Sequence, residues 1–138
     1  MQEKNQYFCL SHSKFLLQAH LIFVIKYRKK LLIGEIETFV KNIFNDIAAQ
    51  SDFKIDVMET DQDHIHMIVN YKPHISITQI VRRLKSMSTV SIWKTHNSFL
   101  KKHFWKEKTF WSDGYFAASI GNASNETVKN ILKNRDSY

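Results

Sequence analysis

The sequence predicts an α+β sandwich in which helices pack on an antiparallel sheet. Runs of β-branched and aromatic residues indicate four strands, and apolar residues at helical spacing indicate three helices. Their order, β-α-β-β-α-β-α, favours this architecture. With 138 residues but only 3 glycines and 1 proline, the chain is expected to form a single domain over residues 1–138, with short connections.

The first half of the chain predicts a strand, a helix and a hairpin. Residues 16–27 are rich in β-branched and aromatic side chains, which is typical of a buried strand. Apolar residues recur every three or four positions over 35–50, which indicates an amphipathic helix. Residues 53–60 and 64–71 predict two strands, and the turn-like segment TDQD between them indicates a hairpin.

The second half predicts a long helix, another strand and a final short helix. Pro73 ends the second hairpin strand, and Ser76 is expected to cap a helix over 77–97. Residues 114–121 predict a strand, and Ser124 is expected to cap the last helix. Between the long helix and this strand, lysines are interleaved with four aromatic residues, at least half of which we expect in the core: Phe104, Trp105, Phe110 and Trp111.

The charge of the chain is compatible with a nucleic-acid partner. Lysine and arginine number 20 against 13 acidic residues, for a net charge of +7 and an isoelectric point near 9.5. Ordinary solvated surface is the alternative explanation for this charge. Lysines can neutralise phosphates, and exposed aromatic rings can stack on unpaired bases. The candidate DNA contacts form two groups: Lys26, Tyr27, Arg28, Lys29 and Lys30 after the first strand, and Arg82, Arg83, Lys85 and Ser86 on the long helix.

The sequence predicts a cytoplasmic protein without a membrane segment. No apolar run reaches the roughly 18 residues that a membrane helix needs. The N-terminal residues lack the charged start and apolar block of a signal peptide. The single cysteine, Cys9, cannot form an internal disulfide, which fits a reducing compartment.

His64 and His66 are candidate metal ligands in the second hairpin strand. Side chains two apart on a strand face the same side, with Cα atoms about 6–7 Å apart, so two imidazoles can converge on one cation. Ile65 and Met67 would then face the core. Two histidines alone can also be ordinary strand residues, and a catalytic metal usually has a third protein ligand, which the sequence does not identify.

Four segments together resemble one protein family: AHLIFVIKYRKKLL, DQDHIHMIV, ISITQIVRRLKSMS and FWSDGYFAASIG. They resemble the HUH-type single-tyrosine transposases of insertion sequences of the 200/605 type, in the family's order. The resemblance implies a ferredoxin-like HUH sandwich and a homodimer that recognises DNA hairpins near the ends of its element. It also implies magnesium or manganese at His64 and His66, and a helical tyrosine that cuts and rejoins single-stranded DNA through a phosphotyrosine link.

The last helix departs from the family pattern. The family tyrosine falls about ten residues after Gly121, where this chain has Ile131, and a polar position one turn later is Arg135. Tyr138, seven residues after Ile131, is a weak substitute for the nucleophile. Three hypotheses follow: an active transposase, a hairpin-binding relative that cannot cut, or an RNA-binding domain that needs no metal.

Overall fold

Four antiparallel strands form one sheet in the computed structural model, which describes residues 17–121. The strands are β1 (Leu17–Val24), β2 (Phe53–Asp61), β3 (His64–Tyr71) and β4 (Phe116–Ile120), in the spatial order β2-β3-β1-β4. The predicted hairpin is therefore β2 and β3, and β1 lies between β3 and β4. The α+β fold predicted from the sequence is confirmed.

The first two predicted helices are present, the second is shorter than predicted, and one further short helix follows it. They are α1 (Gly34–Ala49), α2 (Ile77–Thr95) and α3 (Asn97–Lys101), and a 3-10 turn (Lys26–Arg28) follows β1. The Ser76 side chain accepts a hydrogen bond from the Gln79 amide, and the Gln79 side chain accepts one from the Ser76 amide. This reciprocal capping box confirms the predicted start of the long helix. The predicted helix over 77–97 ends at Thr95, and a separate short helix follows.

The two faces of the sheet carry different side chains. The core face presents alternate residues of the central strands, which pack with the apolar residues of α1 and α2. On β3 these are Ile65, Met67 and Val69, each 0% exposed, so Ile65 and Met67 face the core as expected. The intervening residues, His64, His66 and Ile68, lie on the other face because strand side chains alternate.

The aromatic segment after α3, residues 104–111, is hydrogen-bonded to α2. Phe104, Phe110 and Trp111 are buried, whereas Trp105 is exposed, so the expectation that at least half of these rings are core is confirmed. The Trp111 indole donates a 2.9 Å hydrogen bond to the buried hydroxyl of Ser88 on α2. This contact fixes the chain just before β4.

Two further predictions concern membrane-spanning helices and the last helix. Within residues 17–121, no helix is long and apolar enough to cross a membrane. The predicted last helix, with Ser124 at its start, lies outside the described residues.

Candidate metal and nucleic-acid site

The two histidines lie side by side on β3, on the sheet face opposite the helices. His64 pairs with Val24 of β1, and His66 pairs with Ile22. Their ring centroids are 4.9 Å apart, and the two residues are 6% and 1% exposed. The strand period thus brings two imidazoles to one place, as the sequence predicted.

Asp63, which the sequence analysis did not identify, orients the first imidazole. Its Oδ1 lies 2.7 Å from His64 Nδ1, and its Oδ2 accepts a 3.1 Å hydrogen bond from Arg28 Nε. Partial burial alone would raise the pKa of Asp63, but the hydrogen bonds from His64 and Arg28 outweigh it and hold the pKa below its usual value. An ionised carboxylate can only accept, so Nδ1 carries the hydrogen, and in the neutral imidazole the lone pair is on Nε2.

A cavity of about 240 Å³ opens beside the two histidines. Its polar lining includes a guanidinium, two imidazoles and a phenol ring, from Arg28, His64, His66 and Tyr115. Ser112 and Gly114 close one side. Imidazole nitrogens can ligate divalent transition-metal ions, although manganese and magnesium favour oxygen ligands, and a guanidinium suits a phosphate. The lining therefore fits a cation and a phosphate together.

The residues present could supply two ligands to a divalent cation. The fit rests on the shared face of His64 and His66 and on the carboxylate that sets the His64 tautomer. Among the described residues, no group of three or more His, Cys, Asp or Glu side chains is placed to hold a metal ion.

Lys85 of α2 holds the wall of this cavity in place. Its Nζ donates to the carbonyl oxygens of Ser112 at 2.7 Å and Gly114 at 2.8 Å, with a longer contact to the carbonyl between them. The ammonium also lies over the rings of Phe23 and Tyr115, 5.4 and 5.3 Å from their centroids. Burial lowers the pKa of Lys85. A residue predicted to contact DNA thus has a clear structural task.

The other basic residues after β1 divide between ion pairing and exposure. Lys26 forms a 3.0 Å salt bridge with Glu107, and their hydrogen bond raises the pKa of Lys26. Lys29 lies over the ring of Phe104, 6.0 Å from its centroid, and Lys30 is exposed. Of this group, Arg28 lines the histidine cavity, whereas Tyr27 and Lys29 line a different one.

The predicted contacts on α2 are placed elsewhere. Arg82, Arg83 and Ser86 line a separate cavity of about 460 Å³. Arg83 donates to the hydroxyl of Ser51, and the Ser86 hydroxyl donates to the Arg82 carbonyl at 2.7 Å. Arg28 therefore shares a cavity with the two histidines, and Lys85 bonds the loop that lines it. Arg82, Arg83 and Ser86 line a different cavity.

The positions of the predicted nucleophile lie outside the described residues. Ile131, Arg135 and the substitute Tyr138 all follow residue 121, the last that the structure describes. Their arrangement relative to the histidine pair therefore stays a prediction from the sequence.

Comparison with known proteins gives consistent matches along most of the chain. The profile of the family described as "Transposase IS200 like" matches residues 13–135. The ISDra2 transposase TnpA of Deinococcus radiodurans is 28% identical over 119 residues, which cover 86% of this chain and 84% of that protein. The transposase of insertion sequence element IS200 from Salmonella typhimurium is 26% identical over 112 residues, 81% of this chain and 72% of the relative.

Solved structures show the same fold. A crystal structure of a transposase from Deinococcus radiodurans R1 superposes with a TM-score of 0.69 at 24% identity, covering 86% of this chain and 89% of the other. A REP-associated tyrosine transposase bound to a REP hairpin superposes with a TM-score of 0.61 at 12% identity, covering 87% and 70%. At these identities the superpositions establish the architecture alone.

Proposed function

Because the chain belongs to the IS200-like transposase family, we propose that it binds hairpin-forming single-stranded DNA of an insertion sequence and cuts and rejoins one strand. Cutting would use a divalent cation, magnesium or manganese, at His64 and His66. The observation that carries the proposal is the placement of both imidazoles in one cavity with the Arg28 guanidinium, oriented by Asp63.

Each polar side chain of the cavity has a separate role in the proposed reaction. The Asp63 carboxylate fixes the His64 ring so that Nε2 presents its lone pair, and His66 lies beside it on the same face. Arg28 uses Nε to bond Asp63, and its side chain remains 58% exposed, which leaves guanidinium N–H groups to bind a phosphate oxygen. A bound cation would offset the charge that develops on the scissile phosphate.

Hairpin binding by a homodimer is part of the same proposal. The hairpin binding is supported by the net charge of +7 and by the structural likeness to a transposase bound to a REP hairpin. Exposed basic residues such as Lys30 and Arg82 would neutralise phosphates. Each phosphate contact makes affinity fall with salt, so hairpin binding should weaken steeply between low and high ionic strength.

A second candidate function follows from Ile131. Its side chain has no nucleophilic atom, yet it occupies the position that corresponds to the family tyrosine. A chain with this residue could bind hairpins and cations without forming a phosphotyrosine link. In that case the protein would act as a DNA-binding relative of the active enzymes.

One set of variants distinguishes these functions. A labelled single-stranded hairpin is incubated with manganese, and both the bound complex and any denaturant-resistant protein–DNA adduct are measured. An adduct that is lost in the H64A/H66A double variant, but kept in the exposed-histidine control H74A, would support cutting. An adduct that also disappears on replacement of Tyr138 by phenylalanine would identify that residue as the nucleophile.

The remaining outcomes distinguish a protein that binds hairpins without cutting them from one that neither binds nor cuts them. Hairpin binding without an adduct, with adduct formation restored by I131Y combined with R135Q, would support the non-cutting relative. Absence of both hairpin binding and manganese uptake would contradict both candidates. A metal-independent RNA-binding domain would then be the better description.

A further inference from the structure

A second cavity adjoins the histidine site, and we propose that it holds one unpaired base of the same DNA strand. This aromatic pocket is lined by Tyr27, Phe104 and Trp105, with Lys29, His103 and Lys106 at its edge. The inference rests on the proposed function, because it specifies how a strand bound at the histidines continues. It assigns the pocket to a base that flanks the phosphate near Arg28.

The backbone between the two cavities is held in an unusual conformation. Tyr27 and Arg28 have φ angles of 62° and 52°, in the left-handed region that residues other than glycine rarely adopt. Hydrogen bonds on both sides fix this turn, from the Arg28 amide to the Ile25 carbonyl at 2.8 Å and from the Lys26 amide to the Phe110 carbonyl at 2.9 Å. Such conformations persist where surrounding structure enforces them, often at binding sites.

Because of this turn, the consecutive side chains of Tyr27 and Arg28 line two different cavities. Arg28 lines the histidine cavity, whereas Tyr27 lines the aromatic pocket. Their Cα atoms are separated by a single peptide unit, about 3.8 Å. A strand whose phosphate lies at Arg28 therefore places a neighbouring base within reach of Tyr27.

The pocket presents unusually exposed aromatic surface. Tyr27 is 72% exposed and Trp105 is 76% exposed, although large rings are normally buried in a domain of this size. The buried ring of Phe104 backs Tyr27, with centroids 6.5 Å apart. The volume of about 290 Å³ is at the lower end of the roughly 300–1,000 Å³ typical of ligand pockets. It suits one base better than a larger ligand.

The charge around the pocket favours a nucleic acid as its ligand. The Lys106 ammonium lies 5.2 Å from the Trp105 ring centroid, and the Glu107 carboxylate in the pocket is neutralised by Lys26. Burial and then the positive charges of Lys29 and Lys102 lower the pKa of His103. A rim this positive attracts a phosphodiester backbone.

The test compares W105A with W105F in the full-length chain, with a twelve-residue single-stranded oligothymidine as the probe. Fluorescence anisotropy reports DNA affinity, and manganese titration reports the histidine site. Loss of one stacking ring should weaken DNA binding about 5- to 150-fold in W105A, and W105F should retain most of it. Manganese affinity should be equal in both variants, because Trp105 does not line the histidine cavity.

Position along the strand is tested with 5-iodouracil placed at single sites in the same oligonucleotide. Ferrous iron bound at the histidines, with added hydrogen peroxide as the oxidant, cuts the strand nearby. Ultraviolet crosslinks at Tyr27 or Trp105 from a nucleotide adjacent to this cut would support the proposal. Equal DNA affinity of W105A and wild type, or crosslinks and scission many nucleotides apart, would overturn it. A W105A variant that only loses self-association in light scattering would also overturn it. If the wild type binds no single strand, the proposed function fails as well.

Discussion

Replacing Lys85 with methionine should destabilise the protein, because its ammonium holds the loop that closes the histidine cavity. The substitution keeps the length and apolar contacts of the side chain and removes the charge. The carbonyls of Ser112 and Gly114 then lose donors at 2.7 and 2.8 Å. Arg82→Met is the matched control, since it removes a charge from an exposed position of the same helix.

The expected magnitude follows from these contacts. Hydrogen bonds to a charged group contribute about 1.5–3 kcal/mol each, which gives about 3–6 kcal/mol for the two short bonds. Two effects reduce this figure. Burial of the ammonium, which lowers the pKa of Lys85, costs free energy that methionine does not incur. Ser112 is only partly buried and Gly114 is exposed, so water can replace some of the lost bonding. We expect a net loss of about 1–3 kcal/mol.

Urea unfolding and thermal unfolding, both followed by circular dichroism, measure the effect. A loss of 1–3 kcal/mol should lower the melting temperature by about 3–12 °C for a chain of this size, whereas Arg82→Met should stay within about 0.5 kcal/mol of wild type. The sequence predicted Lys85 as a DNA contact. A lysine that only contacts a phosphate would change DNA binding but leave the free energy of unfolding unchanged. Unchanged stability in K85M, with a DNA-binding salt slope reduced by about one, would refute the structural assignment.

Three further predictions concern the orienting carboxylate, the aromatic pocket and the core. Asp63→Asn should weaken manganese binding about 10- to 100-fold, because the amide no longer fixes the His64 ring through a charge; unchanged affinity in calorimetry would contradict this role. His103 should titrate below 6.5 in NMR, and its pKa should rise on oligonucleotide binding, so affinity should increase as pH falls through this range; a midpoint unmoved by DNA would argue against the assigned pocket. Ser88→Ala should cost about 1–3 kcal/mol by leaving the buried Trp111 indole without its acceptor, and thermal unfolding equal to wild type would exclude this.

Local patterns made much of the fold predictable. Alternation along β3 assigned Ile65 to the core and the two histidines to the other face, since the strand period is two. Ser76, with a glutamine three residues later, carries the signal of a capping box, and both of its hydrogen bonds are present. The helix break near Thr95 was missed, because neither glycine nor proline marks the end of the helix.

The geometry of the site depends on contacts that local sequence does not encode. Asp63 and Arg28 are separated by 35 residues, and their bond exists because β1 and β3 are neighbours in the sheet. Lys85 meets the loop near Ser112 only after α2 has packed on the sheet. The left-handed conformation of Tyr27 also has no sequence signal, since neither glycine nor asparagine marks the turn.

The central claim is that His64 and His66 together hold a divalent cation at the site where the DNA phosphate binds. Electron paramagnetic resonance during titration with manganese, in the presence of a single-stranded hairpin, measures this directly. Wild-type protein and the H74A control should bind manganese at one site per chain, and H64A/H66A should lose that site while it still binds the hairpin. Equal manganese binding by the double variant and the wild type would contradict the claim.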